Sequence, residues 1–195
     1  MKGLVYIFTG DGKGKTSAAL GMTTRALAHG WKVAWISWYK EASWGISEHK
    51  FAEMLTPKFQ KRLLFLPMGK GFFLKAGKQI NKKTKIVKAN SAVIVDDDSP
   101  AAHKLAAQQA LQKAVSLVSK VDVLVLDEVC NAISDKLLTH DQVIKVLNKR
   151  GNTHVVLTGR NVSKKMTAYA DLVSTILKTK HPFDKGKLAV KGLDF

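Results

Sequence analysis

One stretch constrains what this 195-residue chain can fold into: Phe8-Thr9-Gly10-Asp11-Gly12-Lys13-Gly14-Lys15-Thr16-Ser17. Ahead of it, Leu4–Phe8 is a short apolar run of strand formers. Behind it, Ser17–His29 is rich in Ala, Leu and Met and closes on Gly30, a residue suited to a left-handed C-cap. Strand, glycine loop, helix is the context a bound phosphate requires. Glycines let backbone N–H groups close around the oxygens, and the new helix adds its positive end. Lys15 brings a point charge, and the Thr16 hydroxyl can ligate Mg²⁺. The general pattern G-x-x-x-x-G-K-[ST] has Gly where this chain has Thr9, but Gly10, Gly12 and Gly14 keep the loop flexible. The competing reading is a glycine-rich turn with a chance Lys-Thr pair; the flanking strand and helix argue against it.

A second landmark is Val121–Glu128. Its near-continuous apolar run suits a strand buried on both faces of a parallel sheet, ending in the acids Asp127 and Glu128. In that position one carboxylate can hold Mg²⁺ or its waters, and the next can polarise a water or hold a substrate hydroxyl. The alternative is an acid pair that caps the following helix. Further strands are expected at Lys32–Trp38, Arg62–Leu66, Val155–Thr158 and Asp171–Leu177. Helices are expected at Ile46–Leu55, ended near Pro57, and from Asp98 or Ser99 to about Ser119. The latter would place Leu111, Ala114, Val115 and Val118 on one face. Two more are expected at Asp141–Lys149 and Val162–Ala170. This alternation predicts one α/β domain with a mainly parallel sheet flanked by helices. At the carboxyl end of such a sheet, Trp38, Tyr39 and Lys40 leave the second strand where ligands bind, and Arg160 follows Gly159 within reach of a phosphate tail. Asp96-Asp97-Asp98 reads as helix capping in preference to a metal cluster.

Charge narrows the partners. Lys and Arg total 32 against 15 Asp and Glu, a net charge of +17. Between Met54 and Val95 stand ten basic residues and no acid. Such a field attracts anions, either nucleic acid or a substrate with several carboxylates; a solvated lysine face or a mobile loop is the plain alternative. The single Cys130 reads as a small buried hydrophobe. There is no 18-residue apolar run, so no membrane span is expected; Met1-Lys2-Gly3 leads straight into the first strand, so no signal peptide is expected either, and a cytoplasmic location follows as an expectation.

Four blocks of residues resemble the P-loop type of ATP:corrinoid adenosyltransferase, also called cob(I)yrinic acid a,c-diamide adenosyltransferase. They are Thr9–Thr16, Arg25–Gly30, Leu124–Glu128, and Leu157–Arg160 with Lys180–Asp184 and Lys191–Phe195. The resemblance spans nearly the whole chain apart from a lysine-rich insert at about 75–98. It implies a single RecA-like P-loop NTPase domain over residues 1–195. It also implies transfer of the 5′-deoxyadenosyl group of ATP to the Co(I) of a corrinoid, cobyrinic acid a,c-diamide or cobalamin, with release of tripolyphosphate. Implied catalytic residues are Lys15, Thr16, Asp127 and Glu128. ATP would be held by Thr9, Gly10, Asp11, Gly12, Lys13, Gly14, Lys15, Thr16, Ser17, Arg25 and Arg160, and Mg²⁺ by Thr16, Glu128 and Asp127. The corrinoid would be lined by Trp38, Tyr39, Lys40, Phe72 and Phe73, although Leu74 stands where the family usually has tryptophan and Glu41 where it has glycine. A homodimer and a reductase that supplies electrons to cobalt are also implied. The rival readings are a P-loop ATPase acting on nucleic acid, against which no recognition helix or RNA-binding signature appears, and a relative that binds ATP but has lost corrinoid transfer.

Overall fold

Five-residue apolar runs, punctuated by glycine and proline, build the centre of the molecule. The computed structural model describes residues 2–41, 47–71, 98–187, 190 and 192–193. Its strands are β1 (Val5–Thr9), β2 (Val33–Ser37), β3 (Leu63–Pro67), β4 (Val123–Asp127), β5 (His154–Thr158) and β6 (Leu172–Thr175). Every pairing is parallel, in the order β3-β2-β4-β5-β1-β6. β5 therefore lies between the strand that carries the glycine loop and the strand that ends in the acid pair.

The helices are α1 (Lys15–Ala28), α2 (Pro57–Gln60), α3 (Pro100–Leu117), α4 (Val129–Ser134), α5 (His140–Asn148) and α6 (Lys164–Tyr169). Alternate strand residues serve opposite faces, which is why the central strands are apolar throughout. Val33, Trp35, Val123, Val125 and Val156 pack against Ala19, Ala26 and Leu27 of α1. Ala34, Ile36, Leu124, Leu126, Val155 and Leu157 pack against α3 and α5, through Ala107, Ala110, Ala114, Val143, Val146 and Leu147, and against Met166 of α6. Trp35 stacks on Phe65 with ring centroids 5.3 Å apart, extending the α1 face onto β3. No helix of the described residues is long and apolar enough to cross a membrane.

The caps follow their chemistry. Ser99, not Asp98, caps α3 by accepting from the Ala102 N–H, with Pro100 in the first turn. Thr139 and Gln142 form a reciprocal capping box on α5.

Several expectations need correction. Residues 47–55 make a single 3₁₀ turn, Ser47–Lys50, followed by turns. Pro57 starts α2 and does not end a helix, because its fixed φ suits a first helical turn. Val115 is 36% exposed, so the buried stripe of α3 runs through His103, Ala107, Ala110, Leu111 and Ala114. The sixth helix starts at Lys164 on a Ser163 cap, and α4, short and directly after the acid pair, was not expected from periodicity. Asp96, Asp97 and the rest of the lysine-rich insert before Asp98 lie outside the described residues.

Candidate active site

The glycine loop is shaped by the segment after β6. The Gly12 N–H donates to the Ile176 carbonyl at 2.9 Å, and the Ile176 N–H donates to the Thr9 carbonyl at 2.8 Å. Gly10 has φ +103°, and a Cβ there would lie 2.3 Å from the Ile176 carbonyl oxygen. A side chain is thus excluded both by conformation and by the backbone beside it. Gly14, at φ 112°, occupies the N-cap of α1, which has no side-chain cap and no acidic residue in its first turn. That leaves the helix's positive end to an anion. Lys15 Nζ donates to the carbonyls of Gly10 at 2.8 Å and Gly12 at 2.6 Å, so its ammonium lies across the loop. Burial lowers its proton affinity and Arg160 lowers it further, while Asp11, Glu128 and Asp127 act in the opposite sense.

Asp127, the last residue of β4, is fully buried and accepts from four directions. Its Oδ1 accepts from Thr158 Oγ1 at 2.7 Å and Thr16 Oγ1 at 3.1 Å. Its Oδ2 accepts from Lys40 Nζ at 2.9 Å and Ser37 Oγ at 3.4 Å. Ser37 in turn accepts from Trp35 Nε1 at 2.8 Å. The strand register explains the convergence: Ser37 is paired with Asp127 on one side, and Thr158 ends β5 on the other. A buried carboxylate needs such satisfaction, since an unpaired charge in this position is strongly unfavourable.

Glu128 adopts a left-handed backbone, φ 64°, and is the N-cap of α4. Its N–H donates to Thr158 Oγ1 at 2.8 Å. Its Oε2 is buried and has no hydrogen-bond partner. Burial, and then the charge of Asp127, push this carboxyl up to about 7. Lys40 is held between Asp127 and Glu48, the latter at 3.3 Å, with its side chain only 13% exposed. Burial opposes its charge, but Asp127, Glu128 and Glu48 outweigh burial and raise its proton affinity above the usual lysine value.

Lys15, Thr16, Asp127 and Glu128 come together as a cluster at the carboxyl end of the sheet. Arg160 stands beside them: its N–H donates to Asn131 Oδ1 at 2.6 Å, and its charge acts on Lys15. Thr9 is buried at the strand end, while Asp11, Lys13 and Ser17 are exposed on the loop and the first turn of α1. Arg25 is not brought to the loop. It lies ten residues beyond Lys15 on α1, about 15 Å along the axis at 1.5 Å per residue. There it lines a cavity of about 290 Å³ with Tyr6, Met22, His29, Trp31 and His154.

Trp38 and Tyr39 also depart from expectation. Each is 4% exposed. The indole N–H of Trp38 donates to the Ala107 carbonyl at 3.2 Å, and the Tyr39 hydroxyl donates to Asp135 at 2.7 Å. With polar tips satisfied inside the fold, both are core residues that anchor the segment carrying Lys40. Phe72 and Phe73 lie outside the described residues. Sequence reasoning missed Ser37, Glu48 and Thr158; Ser37 and Thr158 carried a signal, a hydroxyl at the final position of an otherwise apolar strand.

The donor set suits a divalent cation bound jointly with phosphate. The Thr16 hydroxyl opens α1, Glu128 keeps an unpartnered Oε2 and its charge acts on Lys15, and Asp127 already accepts four hydrogen bonds. Among the described residues no group of three or more His, Cys, Asp or Glu could hold a metal ion.

Comparison with known proteins gives a consistent likeness. The family model described as ATP:corrinoid adenosyltransferase BtuR/CobO/CobP matches residues 1–195. The corrinoid adenosyltransferase of Escherichia coli K12 is 29% identical over 197 residues, spanning 100% of this chain and 86% of that protein. That of Pseudomonas aeruginosa is 33% identical over 195 residues, with 100% and 84% covered. The corrinoid adenosyltransferase CobA of Salmonella typhimurium LT2 is 30% identical over 195 residues, with 100% and 86% covered. Among solved structures, the flagellar accessory protein FlaH of Methanocaldococcus jannaschii has a TM-score of 0.53 at 12% identity, covering 89% of this chain and 71% of that one, a likeness of fold alone.

Proposed function

The chain belongs to the ATP:corrinoid adenosyltransferase family, and on that footing we propose that it transfers the 5′-deoxyadenosyl group of ATP to the Co(I) of a reduced corrinoid. The cobalt electron pair attacks the 5′-carbon, the carbon–oxygen bond breaks, and tripolyphosphate leaves with that bond's electrons. Cobalt is the nucleophile, so the protein need not supply one. In keeping with this, burial pushes the Cys130 thiol up to about 12 and away from nucleophilic use.

The observation that carries the reading is the cluster of Lys15, Thr16, Asp127 and Glu128 around an uncapped helix end. It offers cationic and amide donors to a polyphosphate. Lys15, Lys13 and the loop amides would hold the leaving chain and stabilise its charge, helped by Arg160. Thr16 and Glu128 would hold Mg²⁺, with Asp127 orienting Thr16. The metal, when bound, neutralises charge on the phosphates. By the family resemblance, Lys40 would face the corrinoid, and Phe72 and Phe73 would contribute to its lining. The lysine-rich segment would draw in a corrinoid that carries free carboxylates. A homodimer, a cytoplasmic setting and a reductase partner complete the proposal. Family membership favours neither the nucleic-acid ATPase nor the ATP-binding relative without transfer.

The test is anaerobic incubation with ATP, Mg²⁺ and chemically reduced corrinoid. The expected result is the absorbance change of a cobalt–carbon bond with stoichiometric tripolyphosphate. ADP and orthophosphate alone would overturn the reading.

A further inference from the structure

We infer that Glu48 is a positioning residue for the transfer: it holds the Lys40 ammonium on Asp127, so that Lys40 joins the nucleotide-side carboxylate to the loop at residues 68–71. The inference rests on the adenosyltransferase reading above.

Lys40 is a junction. Its side chain bridges Asp127 Oδ2 at 2.9 Å and Glu48 Oε1 at 3.3 Å. Its carbonyl accepts from the Gly69 N–H at 3.1 Å. The same strip is tied down on both sides, since the Trp38 N–H donates to the Asp127 carbonyl and the Met68 N–H to the Ser37 carbonyl. Gly69 is pressed so closely that a Cβ there would lie 2.2 Å from the Trp38 carbonyl oxygen. Any shift of the Lys40 backbone is therefore felt by the 68–71 loop.

Asp127 alone would neutralise one ammonium, but its two oxygens are shared with Thr16, Thr158 and Ser37. Glu48 supplies a second anionic contact to Lys40 from a separate element, the 3₁₀ turn Ser47–Lys50. It does so while keeping its own Oε2 buried and unpartnered, as Glu128 does. An unpaired buried carboxylate oxygen is unfavourable for folding. Its presence beside Lys40 fits a group retained to fix where the ammonium sits. Three acids, Asp127, Glu128 and Glu48, act on that ammonium, and the ammonium acts in turn on Glu128, so where it sits is felt on both sides.

Glu48→Gln, which keeps shape and removes charge, tests this. Affinity is measured for a non-transferable ATP analogue with Mg²⁺, then for cob(II)alamin with and without that analogue, followed by steady-state transfer. We expect analogue affinity to stay within about threefold while kcat falls about 10- to 100-fold, the usual effect of losing a partner that orients a functional group. The factor by which nucleotide alters corrinoid affinity, commonly about 5- to 150-fold where two sites are coupled, should collapse towards one. Glu48→Asp should recover part of both, and thermal melts confirm folding. Unchanged kcat, a loss of analogue affinity matching the loss of kcat, or an unchanged linkage factor would overturn the inference. A wild-type control that forms no cobalt–carbon bond would overturn the reaction itself, and the inference with it.

Discussion

Thr16 Oγ1 and Asp127 Oδ1 lie 3.1 Å apart although 111 residues separate them. That hydrogen bond joins the first turn of α1 to the end of β4 and fixes the orientation of the hydroxyl offered to a cation. Removing it should act on the nucleotide more than on the fold, because Asp127 keeps three other donors. Thr16→Val is expected to weaken Mg²⁺-dependent ATP binding and to lower stability by no more than about 1.5–3 kcal/mol, the usual contribution of a hydrogen bond to a charged group. Isothermal titration with and without Mg²⁺ checks this.

Asp127→Asn has the opposite profile. It leaves the Lys40 ammonium buried without its nearest counter-charge, and loss of one partner from a buried pair destabilises by about 3–5 kcal/mol. Asp127→Asn combined with Lys40→Met should cost less than the two single changes added together. Urea denaturation of the four proteins measures the difference.

Lys15→Ala removes the cation that lies across the loop. Loss of one donor to developing charge typically slows an enzyme about 10²- to 10³-fold, and that is the drop expected in kcat. Stopped-flow absorbance of corrinoid adenosylation provides the readout.

Glu128 sets the pH dependence. Its carboxyl is raised to about 7 in the folded protein from an ordinary value of 4.5. The folded state therefore binds this proton more tightly than the unfolded state. Its contribution to stability is fully present below the unfolded value and is lost as pH rises through about 7. Urea midpoints should fall between pH 5 and pH 8, and Glu128→Gln should flatten that slope. Metal binding needs the ionised form, so Mg²⁺ affinity should rise over the same interval.

Gly10→Ala tests the loop. A side chain at φ +103° costs about 1–2 kcal/mol from backbone strain alone. Its Cβ also meets the Ile176 carbonyl oxygen at 2.3 Å, so the loop must move. ATP affinity is expected to fall at least tenfold, read by equilibrium dialysis.

The loop and the acid pair were legible because each is local: glycines, a lysine and a hydroxyl in one stretch, two acids at the end of one apolar run. The α/β alternation was legible for the same reason. What escaped depends on register and on depth. Ser37 and Thr158 matter only because β2 and β5 flank β4 with their ends aligned. Trp38 and Tyr39 sit at the functional edge as expected, but their polar tips turn inward to Ala107 and Asp135, a choice no spacing encodes. Arg25 shares a helix with Lys15, and a helix separates what it joins in sequence by its own length. Glu48 had no signal, since its importance arises from Lys40 being buried.

The place of β5 between β1 and β4 has a consequence for biosynthesis. A nascent chain that has not reached Thr158 already carries its glycine loop and both acids, yet lacks the strand that seats them side by side. A product that ends before Thr158 is therefore expected to hold its glycine loop and acid pair out of register and to bind ATP weakly.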